Sequence, residues 1–116
     1  MSKQKSGKPL LNKHDHEWLR IVALPFMGME WVEIEEDVLY KGAYPDIWSY
    51  PARGRIVITE EWSKADTDSR RTRLLHELIH IAWGWDHDSK MGYYSRPERD
   101  TYSRKIYRRI QKGGRP

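Results

Sequence analysis

The sequence predicts an α+β domain: a helix, a short twisted sheet of about three strands, a long helix, a loop and a closing helix. Three observations carry this reading. Apolar residues recur at helical spacing in three separate segments. Short alternating or β-branched runs lie between the first of these segments and the second. The 116 residues suffice for a single hydrophobic core and no more. No run approaches 18 apolar residues, so no membrane span is expected.

Residues 1–12 read as a basic flexible tail, 13–112 as the domain and 113–116 as a second flexible tail. Asn12, three residues before Asp15, suits an N-cap for a helix over 13–24. Trp18, Ile21 and Val22 form its apolar stripe, and Pro25 and Gly28 are expected to stop it. Glu30–Glu35 alternates strictly, which predicts a strand with Val32 and Ile34 on one side and Trp31, Glu33 and Glu35 on the other. Ile47–Tyr50 suits a second strand, Pro51–Gly54 a turn, and the β-branched run Arg55–Thr59 a third strand. Glu60–Ser69 is a polar connector with several capping residues, among them Ser63, Asp66, Thr67 and Asp68. A long helix follows over about 69–83, with Leu74, Leu75, Leu78, Ile79 and Ala82 on its apolar side and Gly84 where a left-handed cap belongs. After a loop, Ser95 and Glu98 fit a capping box that opens a last helix over 96–112, with Tyr102, Ile106 and Ile110 as its stripe and Tyr107 beside it.

Composition narrows the chemistry. Cysteine is absent, which excludes disulfides, thiolate-bound zinc and thiol catalysis. The first 13 residues carry no apolar leader, so a cytoplasmic protein is expected. The net charge of +4 conceals an acidic body of −6 over residues 14–95, between basic ends of +4 (1–13) and +6 (96–116). Basic ends suit a polyanion, an acidic partner or solubility alone.

The segment 76–80 reads His-Glu-Leu-Ile-His. On a helix, residues i and i+4 stand one above the other, so His76 and His80 can offer two imidazole nitrogens to one ion. Glu77 lies about 100° round the helix, within reach of a metal-bound water whose proton it could take. With five histidines and nine glutamates in the chain, chance supplies roughly 0.02 matches to this HExxH pattern. A hydrolytic zinc keeps one position open and needs a third protein ligand. His87, three residues past Gly84, leads; Asp86 and Asp88 are oxygen alternatives, and Glu98 on the following helix is another.

HExxH is the signature of zinc metallopeptidases, and the run HELIHIAWGWDH (76–87) resembles the longer HExxHxxGxxH motif of the metzincin clan. The segment SKMGYYS (89–95) is similar to that clan's Met-turn. The resemblance covers about residues 55–112. It implies a zincin-like fold, one zinc per chain held by His76, His80 and His87, Glu77 as general base, Met91 as the turn methionine, and Tyr93 as a transition-state stabiliser. One departure stands out: this chain has three residues, not two, between the second histidine and the glycine. Aligned without a gap, Asp86 takes the third-ligand position. The small size is nearer that of minimal gluzincins, whose third ligand is a glutamate and would here be Glu98. The segment from RIVITEEW to LLHELIH also resembles the SprT-like metalloproteases, although their later ligand segment has no counterpart.

The expected activity is zinc-dependent hydrolysis of peptide bonds by a monomer. The substrate is expected to lie extended along the Arg55–Thr59 strand, with Trp83, Trp85, Tyr93 and Tyr94 as pocket residues. Glu60 and Glu61 hint at a basic substrate. Arg99, Arg104, Lys105, Arg108, Arg109 and Lys112 surround the stripe of the last helix and suit nucleic acid. The alternative function is a non-catalytic zincin-like module with basic termini that binds nucleic acid or a protein partner. His14 and His16, two apart, do not converge on one ion and read as surface residues.

Overall fold

The Asn12 side chain accepts the Asp15 backbone N–H at 2.8 Å and so opens the first helix of the computed structural model, which describes residues 9–87 and 102–113. That helix, α1 (Lys13–Trp18), does not stop at the proline. It widens into a π-type stretch (Leu19–Ala23) and continues as α2 (Leu24–Phe26). The Leu24 N–H reaches back five residues to the Leu19 carbonyl, and a wide turn of this kind accommodates Pro25, which has no N–H to offer. Gly28, at φ +73°, follows α2 and takes the chain out of the helix. The widening also re-aims the helix. Asp15, Leu19, Ala23, Leu24 and Met27 face inwards, whereas Ile21 of the expected stripe is 58% exposed. Before α1, the Leu10 and Leu11 N–H groups donate to the Glu36 carboxylate at 3.1 and 3.2 Å, so part of the supposed tail belongs to the fold.

Three strands form the sheet: β1 (Glu33–Asp37), β2 (Ile47–Tyr50) and β3 (Arg55–Thr59), in the order β1-β3-β2. β1 begins three residues later than the alternation suggested, yet the phase holds. Val32 and Ile34 pack on the core, and Trp31 stands exposed with its ring edge beside Gly54. β3 pairs in parallel with β1 (Ile34 opposite Ile56) and antiparallel with β2 (Ile47 opposite Ile58). This corrects the expected substrate position. Both edges of Arg55–Thr59 are already hydrogen-bonded, so no peptide can be added there. Its Ile56, Val57, Ile58 and Thr59 are buried on both faces, as a central strand requires.

The polar connector holds an unforeseen turn of helix, α3 (Glu60–Ser63). Thr59 caps it by accepting the Trp62 N–H and donates its own hydroxyl to the Asp46 carbonyl at 2.7 Å. Trp62 is fully buried, and its Nε1–H donates to the Arg70 carbonyl. Asp66 then caps α4 (Thr67–Trp83), two residues earlier than expected. Leu74, Leu75, Leu78 and Ile79 of α4 are wholly buried, each contributing roughly 1.5–3 kcal/mol of transfer free energy. Ala82, by contrast, is exposed.

α5 (Tyr102–Gln111) runs antiparallel to α4. The Tyr102 ring meets Trp83 and Trp85 near the C-terminal end of α4, and the Tyr107 hydroxyl donates to Asp68 at the other end. Ile106 and Tyr107 are buried, as the stripe predicts. The expected capping box Ser95–Glu98 lies outside the described residues. Among the described residues, no helix is long and apolar enough to cross a membrane.

Candidate metal centre

Three imidazoles converge at the C-terminal end of α4. His76 Nε2 lies 3.0 Å from His87 Nε2, and His80 Nε2 lies 3.2 Å from the same atom. The ring centroids are 4.9–5.0 Å apart in every pair. Two of the rings come from the i, i+4 spacing of α4. The third arrives because Gly84 caps the helix at φ +69°, a left-handed conformation in which glycine carries no Cβ penalty. The chain then reverses within three residues. The additional residue between His80 and Gly84 therefore lengthens the helix by one position and leaves the glycine-to-histidine step intact. His87, rather than Asp86, completes the cluster; Asp86 is exposed and outside it. Asp88, Met91, Tyr93, Tyr94 and Glu98 lie outside the described residues.

The donor set fits a divalent zinc-type ion. Nitrogens held about 2.0–2.1 Å from a tetrahedral centre stand roughly 3.3 Å apart, close to the spacings here. His80 Nδ1 lies 2.7 Å from the Trp85 carbonyl, which can only accept, so this nitrogen carries the proton. The lone pair of His80 is thereby left on Nε2, facing the cluster, in the manner of an outer-shell partner that fixes a ligand's tautomer. Burial, reinforced by the other two imidazoles, holds the His76 pKa down at about 3, so this ring is neutral at ordinary pH. One Nε2–H could satisfy one neighbour. A cation can satisfy all three lone pairs at once.

Glu77 is 4% exposed and shares a cleft with His80 and His87. Burial pushes its carboxyl up to about 8; a hydrogen bond from the Ser49 side chain opposes the rise and the charge of Asp46 adds to it. Asp46 is itself ion-paired to Arg73 of α4, which fastens the start of β2 to the helix. The cleft measures about 320 Å³, and its other walls are Tyr44, Pro45, Ile47, Trp48, Ser49 and Pro51.

The β2 wall was not foreseen, although alternation puts Ser49 on the side of the buried Ile47. Trp83 and Trp85, the expected pocket residues, instead pack on each other and on Tyr102. Glu60 bonds Lys41 at 2.7 Å. His14 and His16 are exposed on α1, as expected of surface residues. Comparison with protein-family models, curated protein sequences and solved structures finds no match for this chain.

Proposed function

We propose that the chain is a zinc-dependent metallopeptidase of zincin type, and the convergence of the three Nε2 atoms beside a buried glutamate carries this reading. His76, His80 and His87 would hold one zinc per chain. The ion would supply Lewis acidity, polarising a peptide carbonyl and lowering the pKa of water towards neutrality. Glu77 is the general base: the positive charge of the ion would return its buried carboxyl to the ionised form, and that carboxylate takes the proton of the attacking water and returns it to the nitrogen of the departing amine. Ser49 steadies that carboxylate from the strand side. Tyr93 keeps its proposed role as transition-state stabiliser through the metzincin-like segment 89–95.

The substrate is a peptide held extended along β2, which has one partner strand among the described residues and lines the cleft. Pairing of this kind grips main chain and selects little. Selectivity falls to the cleft walls, where Tyr44, Pro45, Trp48 and Pro51 favour an apolar side chain. The same reading has the protein act as a monomer in the cytoplasm, where a chain without cysteine has no disulfide to form.

The test pairs metal analysis with turnover on an unstructured protein such as casein. The wild type should contain one zinc per chain and cleave casein. Glu77→Gln should keep the zinc and lose cleavage. A purified protein that takes up no zinc, or a Glu77→Gln variant with full turnover, would contradict the reading.

A further inference from the structure

We infer that the aromatic cluster of Trp83, Trp85 and Tyr102 is a positioning device through which α5 holds the 84–87 turn in its metal-binding shape; this rests on the zinc site of the proposed metallopeptidase. Two of the three imidazoles, His76 and His80, stand on α4 and are fixed by the helix itself. His87 is not. It follows Gly84, a cap at φ +69°, and glycine has more backbone freedom to lose than any other residue. A ligand on such a turn adds to affinity only in the fraction of molecules that hold it in place.

Trp85 ties this turn in two directions. Inwards, its carbonyl lies 2.7 Å from His80 Nδ1 and accepts the proton there, which leaves the Nε2 lone pair facing the cluster. Outwards, its ring stands 5.0 Å from Tyr102 and 5.1 Å from Trp83, centre to centre, at interplanar angles of 60° and 54°. Trp83 and Tyr102 close the triangle at 6.0 Å. Inclined pairs of this kind are favourable beyond the area they bury. One residue therefore carries both the partner of one ligand and the ring that anchors the turn. Two residues on, His87 Nε2 reaches the other two Nε2 atoms at 3.0 and 3.2 Å.

Of the three rings, Tyr102 alone belongs to a separate element. Trp83 is the last residue of α4 and Trp85 lies one step past its cap, so these two share one stretch of chain. Tyr102 opens α5, whose Ile106 and Tyr107 are buried. The Tyr107 hydroxyl bonds Asp68 at 2.7 Å near the start of α4, so α5 is fastened along that helix independently of the turn. Tyr102 is thus a positioning residue that acts on the metal centre through Trp85. A role in stability alone would lower the melting temperature and leave the zinc affinity of the folded protein as it was. A positioning role moves that affinity and the His80 tautomer as well.

The experiment measures the zinc affinity of the full chain by competition with a chromophoric chelator, at a temperature where circular dichroism shows each variant folded. Tyr102→Ala should weaken zinc binding roughly ten- to a hundredfold, as expected when the support of a metal ligand is lost. Should that variant not fold, Tyr102→Leu takes its place with the same expectation. Tyr102→Phe, which keeps the ring, should bind zinc as the wild type does. Trp85→Ala keeps the carbonyl without the ring and should match Tyr102→Ala. The double variant should lose no more than either single one, because each breaks the same linkage. Tyr107→Phe, at the far end of α5, should lower the melting temperature and leave zinc affinity unchanged. In the metal-free protein, above the usual histidine pKa, nitrogen NMR should show His80 protonated at Nδ1 in the wild type and in Tyr102→Phe, but a mixture of tautomers in Tyr102→Ala. The proposal is overturned if folded Tyr102→Ala binds zinc as tightly as the wild type, if its His80 tautomer is unchanged, or if the two single losses add in the double variant. A wild type that binds zinc yet leaves casein intact would overturn the peptidase reading alone, and one that takes up no zinc would overturn both.

Discussion

The two ends of α4 both bury polar groups, and they do so in opposite ways. Near the N-terminal end, the Asp15 carboxylate, 1% exposed, receives Arg70 Nε at 2.7 Å and Arg71 Nε at 3.0 Å, and the Asn12 amide adds a third contact. Arg71 also lies over the Trp18 ring, 5.1 Å from its centre. Donors meet an acceptor there, and opposite charges attract. At the C-terminal end, three imidazole nitrogens turn towards one another with no such division of roles. The first site needs nothing further and ties α1 to α4. The second is an arrangement of like groups that makes chemical sense around a cation. Burial alone therefore says little about purpose; the pairing of donors with acceptors separates an anchor from a receptacle.

This contrast can be broken from either side. The largest effect is expected at the receptacle: His76→Ala or His80→Ala should weaken zinc binding by about two to three orders of magnitude and abolish turnover, read by metal analysis and casein cleavage. Next, Glu77→Gln should lower kcat by about 10²–10⁴ while zinc stoichiometry stays at one. At the anchor, Asp15→Ala strands two partly buried guanidinium groups. It should destabilise the domain by about 3–5 kcal/mol in a denaturant titration, with zinc stoichiometry of the folded protein unchanged.

A smaller and more graded effect concerns pH in the metal-free protein. His76 titrates at about 3 when folded against 6.5 when unfolded, so the unfolded chain takes up the proton first and stability falls as pH drops from 6.5 towards 3. Glu77 behaves inversely. Folded, it keeps its proton to about 8, against 4.5 when unfolded, so its contribution is complete below pH 4.5 and is lost as pH rises to 8. The metal-free melting temperature should therefore peak between about pH 4.5 and 6.5. Glu77→Gln should flatten the alkaline side of that curve. The smallest effect belongs to the exposed Lys41–Glu60 pair, where Lys41→Ala should leave the melting temperature unchanged.

Much of this architecture was legible in the residues. The HExxH spacing, the Gly84 cap and the β-branched Arg55–Thr59 run each express a local rule that tertiary structure did not overrule. His87 was readable too, because a glycine cap followed by a histidine three residues on is a short-range arrangement. What escaped depended on partners distant in sequence. The first helix was misread because its inward face carries Asp15, whose burial makes sense only beside Arg70 and Arg71, 55 and 56 residues away. The stripe through Ile21 followed from apolar residues alone. The central place of β3 was equally hidden, since its parallel pairing with β1 spans a whole intervening strand. Ser49 and the β2 wall of the cleft were missed for the same reason: a four-residue strand carries no mark of the helix it packs against.

The rod that holds the histidines is also the rod held by Trp62 and the Asp15 clamp, and neither of these involves the histidine cluster. Assembly of the polypeptide would thus be separable from the proposed metallation, unlike in zinc fingers, which are unfolded when stripped. A chelator should empty the protein and lower its melting point without melting it at room temperature, and added zinc should restore the full complement on mixing. Under the proposed metallopeptidase reading, such a molecule would be synthesised inert and armed afterwards, its output set by whatever concentration of free zinc surrounds it.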